Sequence, residues 1–122
     1  MIQRMPKHTG DDTCPSCVVA GDFIFLAHHG AGGKDITTQL RATFESVKRT
    51  LAQSGATLDD MVQIHLYLKD LEDFAAVRDV FCEYFSEGRF PARMTSTTEF
   101  LNDDCLCQID GVVYKPKKEN HI

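Results

Sequence analysis

Residues 61–69, MVQIHLYLK, alternate with period two. Val62, Ile64, Leu66 and Leu68 fall on one side, and Gln63, His65, Tyr67 and Lys69 on the other. That pattern predicts a strand with one buried face. On both flanks the period changes. Over residues 35–54, DITTQLRATFESVKRTLAQS, the residues Ile36, Leu40, Phe44, Val47 and Leu51 recur at spacings of three and four. Asp35 stands at the N-cap position of this helix, and Gly55 closes it. Over LEDFAAVRDVFCEYF, Phe74, Val77, Phe81, Tyr84 and Phe85 repeat the helical spacing. A strand with one apolar face between two amphipathic helices buries all three when the helices lie on one side of a sheet.

The remaining segments read as strands. CVVAGDFIFLA is two apolar runs around Gly21-Asp22, a hairpin signal. After Pro91 come MTSTTEF and CLCQIDGVVY, joined by the turn LNDD. The order β-β-α-β-α-β-β gives an α+β fold, a mixed sheet with two helices on one face. The 122 residues form a single domain. Its core is expected over about residues 14–114, with loose ends at 1–12 and 115–122. Gln63, His65 and Tyr67, with Leu106, Gln108 and Asp110, occupy the sheet face away from the helices. A polar and aromatic face of this kind suits an oligomer surface.

Thirteen Lys and Arg against eighteen Asp and Glu leave a net charge of −5. Such a chain repels a phosphate backbone unless a local basic patch overrides the balance. The longest basic run, KPKK at 115–118, reads as a solvated tail, so no nucleic-acid partner is expected. No apolar run approaches the ~20 residues of a membrane span, and no signal peptide is visible. The expected location is the cytoplasm, with no membrane partner. Five cysteines, an odd number, argue against a disulfide framework in that setting.

Several residues carry chemistry. Arg93 follows Pro91-Ala92 where a helix has ended and a strand begins. It is either an edge arginine paired to a surface carboxylate or a fixed anion receptor, since a guanidinium offers a carboxylate two parallel N–H donors. CPSC, Cys14 to Cys17, has the spacing of a redox pair or half a zinc knuckle. Pairing around Gly21-Asp22 brings Cys14 toward His28 and His29, so a Cys/His metal or thiol module is an alternative. Cys105 and Cys107 share a strand face with Ile109 and are expected in the core, while Cys82 is expected buried or half-buried on the second helix. His65 is read as a structural hydrogen-bonding residue of the polar face. GAGGKD, residues 30–35, fails the phosphate-loop pattern and reads as a flexible pocket edge.

The ordered set GDFIF (Gly21 to Phe25), Asp35-x-x-x-Gln39, Leu51-x-x-x-Gly55, YLKDLEDFAAV (Tyr67 to Val77), Tyr84-Phe85 and FPAR (Phe90 to Arg93) resembles the reactive intermediate deaminase (Rid/YjgF) family. The resemblance spans about residues 14–114. It implies a chorismate-mutase-like fold and a homotrimer whose sheets form an inner barrel, with three clefts between subunits. There the family hydrolyses enamines or imines such as 2-aminoacrylate to 2-oxo acids and ammonia, without metal or organic cofactor. By the same resemblance Arg93 holds the carboxylate of a small ligand.

The sequence also departs from the family. Fifteen residues after the arginine, where the family carries a catalytic glutamate, stands Gln108. Glutamine can orient a water but cannot take its proton. Asp110 follows on the same strand face, roughly 6.5–7 Å along. Ala27 and His28 replace a Ser-Gly whose backbone helps bind the substrate. Cys14 replaces a tyrosine, and Arg78 replaces an asparagine of the second helix. The expected site is therefore Arg93 and Gln108 for catalysis, with Ala27, His28, Cys14 and Arg78 around the substrate. A carboxylate-binding protein without catalysis is the alternative that the glutamine suggests.

Overall fold

In the computed structural model, which describes residues 1–117, six strands form one sheet. They are β1 (Ile2–Arg4), β2 (Cys17–Ala20), β3 (Phe23–His29), β4 (Met61–Leu68), β5 (Ala92–Thr97) and β6 (Cys107–Tyr114). Their spatial order is β1-β2-β3-β6-β4-β5. Every neighbouring pair is antiparallel except β4 and β5. That parallel pair is linked by α2 (Phe74–Tyr84), the crossover that parallel strands require. The other helix, α1 (Ile36–Ala52), joins β3 to β4.

The helical periodicity is realised as predicted. Ile36, Leu40, Phe44, Val47 and Leu51 are all buried. Asp35 caps the helix by accepting the Thr38 N–H at 2.8 Å. Phe44 is the aromatic centre of the layer, edge-on to Phe81 at 5.2 Å and to Phe85 at 5.7 Å. Beneath the helices lie Ile64, Leu66, Leu68, Cys107 and Ile109, each with no exposed surface. The turn at Gly21-Asp22 forms the expected hairpin, with Gly21 at φ 61°, a conformation glycine adopts without strain.

Four expectations are corrected. Residues 2–4, assigned to a loose arm, pair with β2 as an edge strand. Val62, assigned to the buried face, is exposed, and Met61 takes the core position instead. A bulge explains the change: Met61 pairs with Val113 and Gln63 with Val112, so Val62 is an extra residue in the ladder. Gly111 makes the irregularity possible, because a Cβ there would stand 2.3 Å from the Gln63 carbonyl oxygen. Cys82 is exposed rather than buried. Cys107 is a core residue, but Cys105 precedes β6 and is only half-buried. Of the loose C-terminal end, residues 118–122 lie outside the described residues.

Candidate functional site

The candidate site is built where β3 ends beside the start of β6. The pairing of β3 with β6 shifts between Leu26 and His29, and His29 turns into the core opposite Ile109. Its Nδ1–H donates to the Ala27 carbonyl at 2.8 Å, so Nε2 accepts the Thr50 hydroxyl at 2.7 Å. Burial of this neutral ring pushes its pKa down to about 4. His8, from the segment expected to be loose, stacks on His29 with ring centroids 3.9 Å apart. His8 Nε2 donates to the His28 carbonyl at 2.7 Å.

One buried side chain ties the surrounding loops together. Gln39 Nε2 donates to the carbonyls of Gly33 and Asp104, and its Oε1 accepts the Leu106 N–H at 2.9 Å. The glutamine of the Asp-x-x-x-Gln motif thus fastens the Gly30–Asp35 loop to the turn before β6. Helical periodicity places it only as a polar residue on the inner face of α1. Its purpose becomes visible when the two loops converge on it.

Two clefts flank Gln108. One, of about 300 Å³, is lined by His8, Gly30, Asp104 and Cys105 together with His28 and Gln108. The other, of about 350 Å³, adds Tyr67, Glu99, Leu101 and Asp110 to the same His28 and Gln108. Gln108 and Tyr67 are direct cross-strand partners, as are Asp110 and His65. The Asp110 carboxylate accepts His65 Nδ1–H and the Tyr67 hydroxyl, each at 2.9 Å. Burial, followed by this bond to Asp110, raises the Tyr67 pKa, so the phenol stays protonated.

Arg93 stands elsewhere. It pairs with Ile64 on the parallel strand, and Ile64 points into the core beneath the helices. The guanidinium sits 5.1 Å from the Phe74 ring centroid and 5.0 Å from that of Phe81, both on α2. Nε donates to the Thr95 hydroxyl at 3.1 Å. Among the described residues, no carboxylate lies within ion-pair distance of it. Within one chain, then, Arg93 and Gln108 occupy opposite sides of the sheet, with β4 between their strands.

The other predicted residues divide. His28 lines both clefts. The Ala27 N–H is already committed to the Ser16 carbonyl at 3.0 Å, and the Ala27 carbonyl to His29, so its backbone is no free substrate donor. Cys14 and Arg78 line neither cleft; Cys14 Sγ donates to the Pro15 carbonyl, and Arg78 is exposed on α2. The metal or thiol alternative is not assembled. Among the described residues no three His, Cys, Asp or Glu side chains are placed to hold a metal ion. Cys17 is buried, which pushes its thiol pKa up and disfavours the reactive thiolate. Also among the described residues, no helix is long and apolar enough to cross a membrane.

Comparison with known proteins gives a consistent result. Residues 15–115 match the family described as Endoribonuclease L-PSP. A RutC family protein of Pyrococcus horikoshii is 36% identical over 121 residues, covering 93% of this chain and 94% of that protein. A 2-iminobutanoate/2-iminopropanoate deaminase of Salmonella typhimurium is 28% identical over 112 residues, covering 90% and 88%. Among solved structures, a Streptococcus pyogenes member of the YjgF family superposes with a TM-score of 0.83 at 33% identity, covering 95% of this chain and 98% of that one.

Proposed function

The chain belongs to the Rid/YjgF family, and from that membership we propose that it hydrolyses reactive 2-enamino and 2-imino acids to 2-oxo acids and ammonia, at a site shared between subunits of a homotrimer. The observation that carries this reading is the seat of Arg93. Two aromatic faces and the Thr95 hydroxyl hold its guanidinium, and no described carboxylate neutralises it. Of the two readings of Arg93, this favours the anion receptor. A guanidinium ordered in advance loses less entropy on meeting a carboxylate, and it binds in the bidentate mode that lysine lacks.

The separation of Arg93 from Gln108 supports a shared site. A neighbouring subunit's Arg93 would complete the cleft at Gln108, which one chain leaves without a cation from β5. The sheet face opposite the helices is suited to that contact, for Phe23, Phe25 and Tyr114 cluster on it at 43%, 49% and 44% exposure. In the cleft, Gln108 orients the attacking water through its amide, and the His28 side chain borders the substrate. A protonated imine is already electrophilic, so positioning supplies much of what the reaction needs.

A second reading is favoured by one residue. Gln108 cannot accept a proton, which suits a protein that binds 2-oxo acids without turning them over. Ribonuclease chemistry, which the family description names, is disfavoured by the net charge of −5.

The test generates 2-aminoacrylate with a serine dehydratase and reads pyruvate with lactate dehydrogenase. Wild type accelerates pyruvate release over the protein-free rate. Arg93→Ala lowers kcat/KM about 10- to 150-fold, the equivalent of ~1.5–3 kcal/mol for a sheltered charge-assisted pair. Silence from wild type with activity in Gln108→Glu would establish the binding protein instead.

A further inference from the structure

A hydrolytic site built on Gln108 needs a proton acceptor from elsewhere. The cleft between β6 and the segment after β5 holds two carboxylates, Asp110 and Glu99. They are held very differently. Glu99 is exposed in the connection after β5. Asp110 is a strand residue, 28% exposed at its side chain, and each of its oxygens is engaged. Oδ1 accepts His65 Nδ1–H and Oδ2 accepts the Tyr67 hydroxyl, both at 2.9 Å. An ionised carboxylate has about four acceptor sites, so two remain for water. Tyr67 also stands directly opposite Gln108 in the ladder, and Gln108 and Asp110 both line the same cleft.

We propose that Asp110 is the proton acceptor of imine hydrolysis in this chain, and that His65 and Tyr67 are positioning residues that aim it. The proposal rests on the deaminase reading and says how that reaction proceeds without a glutamate at position 108. Gln108 orients the water, whose oxygen bonds to the iminium carbon while the C=N π pair moves onto nitrogen. The water's proton passes to Asp110. Asp110 returns it to the amino nitrogen, which becomes the leaving group. The C–N bond breaks with its electron pair on nitrogen, the carbinol oxygen forms the ketone, and its proton goes to Asp110 and then to ammonia. The products are a 2-oxo acid and ammonium, with Asp110 again ionised. His65 does not border this cleft, which is why the carboxylate and not the imidazole is assigned the proton.

The groups facing Asp110 are His65 and Tyr67 from β4, His28 from β3 and Glu99 from the segment after β5. Full-length protein is assayed with enzymatically generated 2-aminoacrylate, and 2-oxobutanoate binding is measured separately by calorimetry. Asp110→Asn is expected to lower kcat about 100-fold, in the range for loss of one general base. It should leave 2-oxobutanoate affinity within twofold. His65→Ala and Tyr67→Phe lower kcat and leave KM within twofold, as expected for groups that aim the proton acceptor and do not bind the ligand. His65→Asn, which keeps a donor near the Nδ1 position, restores kcat. Gln108→Glu combined with Asp110→Asn recovers at least tenfold of the lost rate, which distinguishes loss of the base from loss of the fold. An active wild type whose rate survives Asp110→Asn would overturn this proposal alone. A wild type that binds 2-oxobutanoate without turning over the imine would overturn it together with the deaminase reading.

Discussion

The two faces of the sheet are finished to different degrees. The helix face is complete within one chain: Leu40, Phe44, Val47 and Leu51 close over Ile64, Leu66, Leu68 and Ile109, and none of these retains exposed surface. The other face carries half-buried polar groups, His65, Tyr67, Gln108 and Asp110, beside the exposed rings of Phe23, Phe25 and Tyr114. Stability and the proposed chemistry are thereby divided between opposite sides of one layer. Arg93 is the exception, a proposed site residue lodged on the helix side through Phe74 and Phe81. Changes to the apolar helix face are accordingly expected to be read in stability, and changes to the open face in assembly and activity.

The largest expected effect is on the helix face. Phe44→Ala removes the ring at the centre of the aromatic layer and should cost about 3–5 kcal/mol in denaturant unfolding. A loss under about 1 kcal/mol would mean the layer is not the tightly packed core described.

Acid should reveal the next effect, through His29 at the rim of that face. Its folded pKa, about 4, lies below the ordinary value of 6.5. The unfolded chain therefore binds a proton first as pH falls. Stability from this group is full above pH 6.5, declines from there toward pH 4, and is down by about 3 kcal/mol at the bottom of the window. Unfolding curves at pH 7.5, 6, 5 and 4 check this, and the decline should flatten in His29→Gln. A flat wild-type curve down to pH 4.5 would contradict the buried neutral ring.

The smallest change in stability is expected on the open face. Phe25→Ser should alter the unfolding free energy of one chain by no more than about 0.5 kcal/mol, as for an ordinary surface site. It should nonetheless lower the light-scattering mass of the assembly, the reverse of the Phe44 result. A mass of one subunit for the wild type would remove the shared site and leave the exposed rings unexplained.

Much of this division is legible in the sequence, because it rests on local periodicity. The inner stripe of α1, the alternation of β4 from Ile64 onward and the hairpin at Gly21 all depend on near neighbours in the chain. What was not legible depends on register and on contacts between distant segments. Val62 is displaced outward by a bulge that is set by Gly111, almost fifty residues away. His8 looks like part of a polar arm until its ring is seen against His29. The site divides in the same way. His65, Tyr67, Gln108 and Asp110 could be assigned to one face from alternation, but their pairing required the β4–β6 register. The seat of Arg93 required knowing which edge of the sheet α2 overhangs.

Gly111 carries a further consequence, for it adjoins Asp110 and lies against the backbone of Gln63. The alignment of the polar face depends on a place where one methyl group would collide with the Gln63 carbonyl and the Met61 side chain. Alanine at 111 would act as a wedge between β6 and β4. The fold could absorb the wedge by sliding one strand, but the sliding would carry His65 and Tyr67 away from the carboxylate they hold. The calibration of this cleft is thus set by an atom the chain omits.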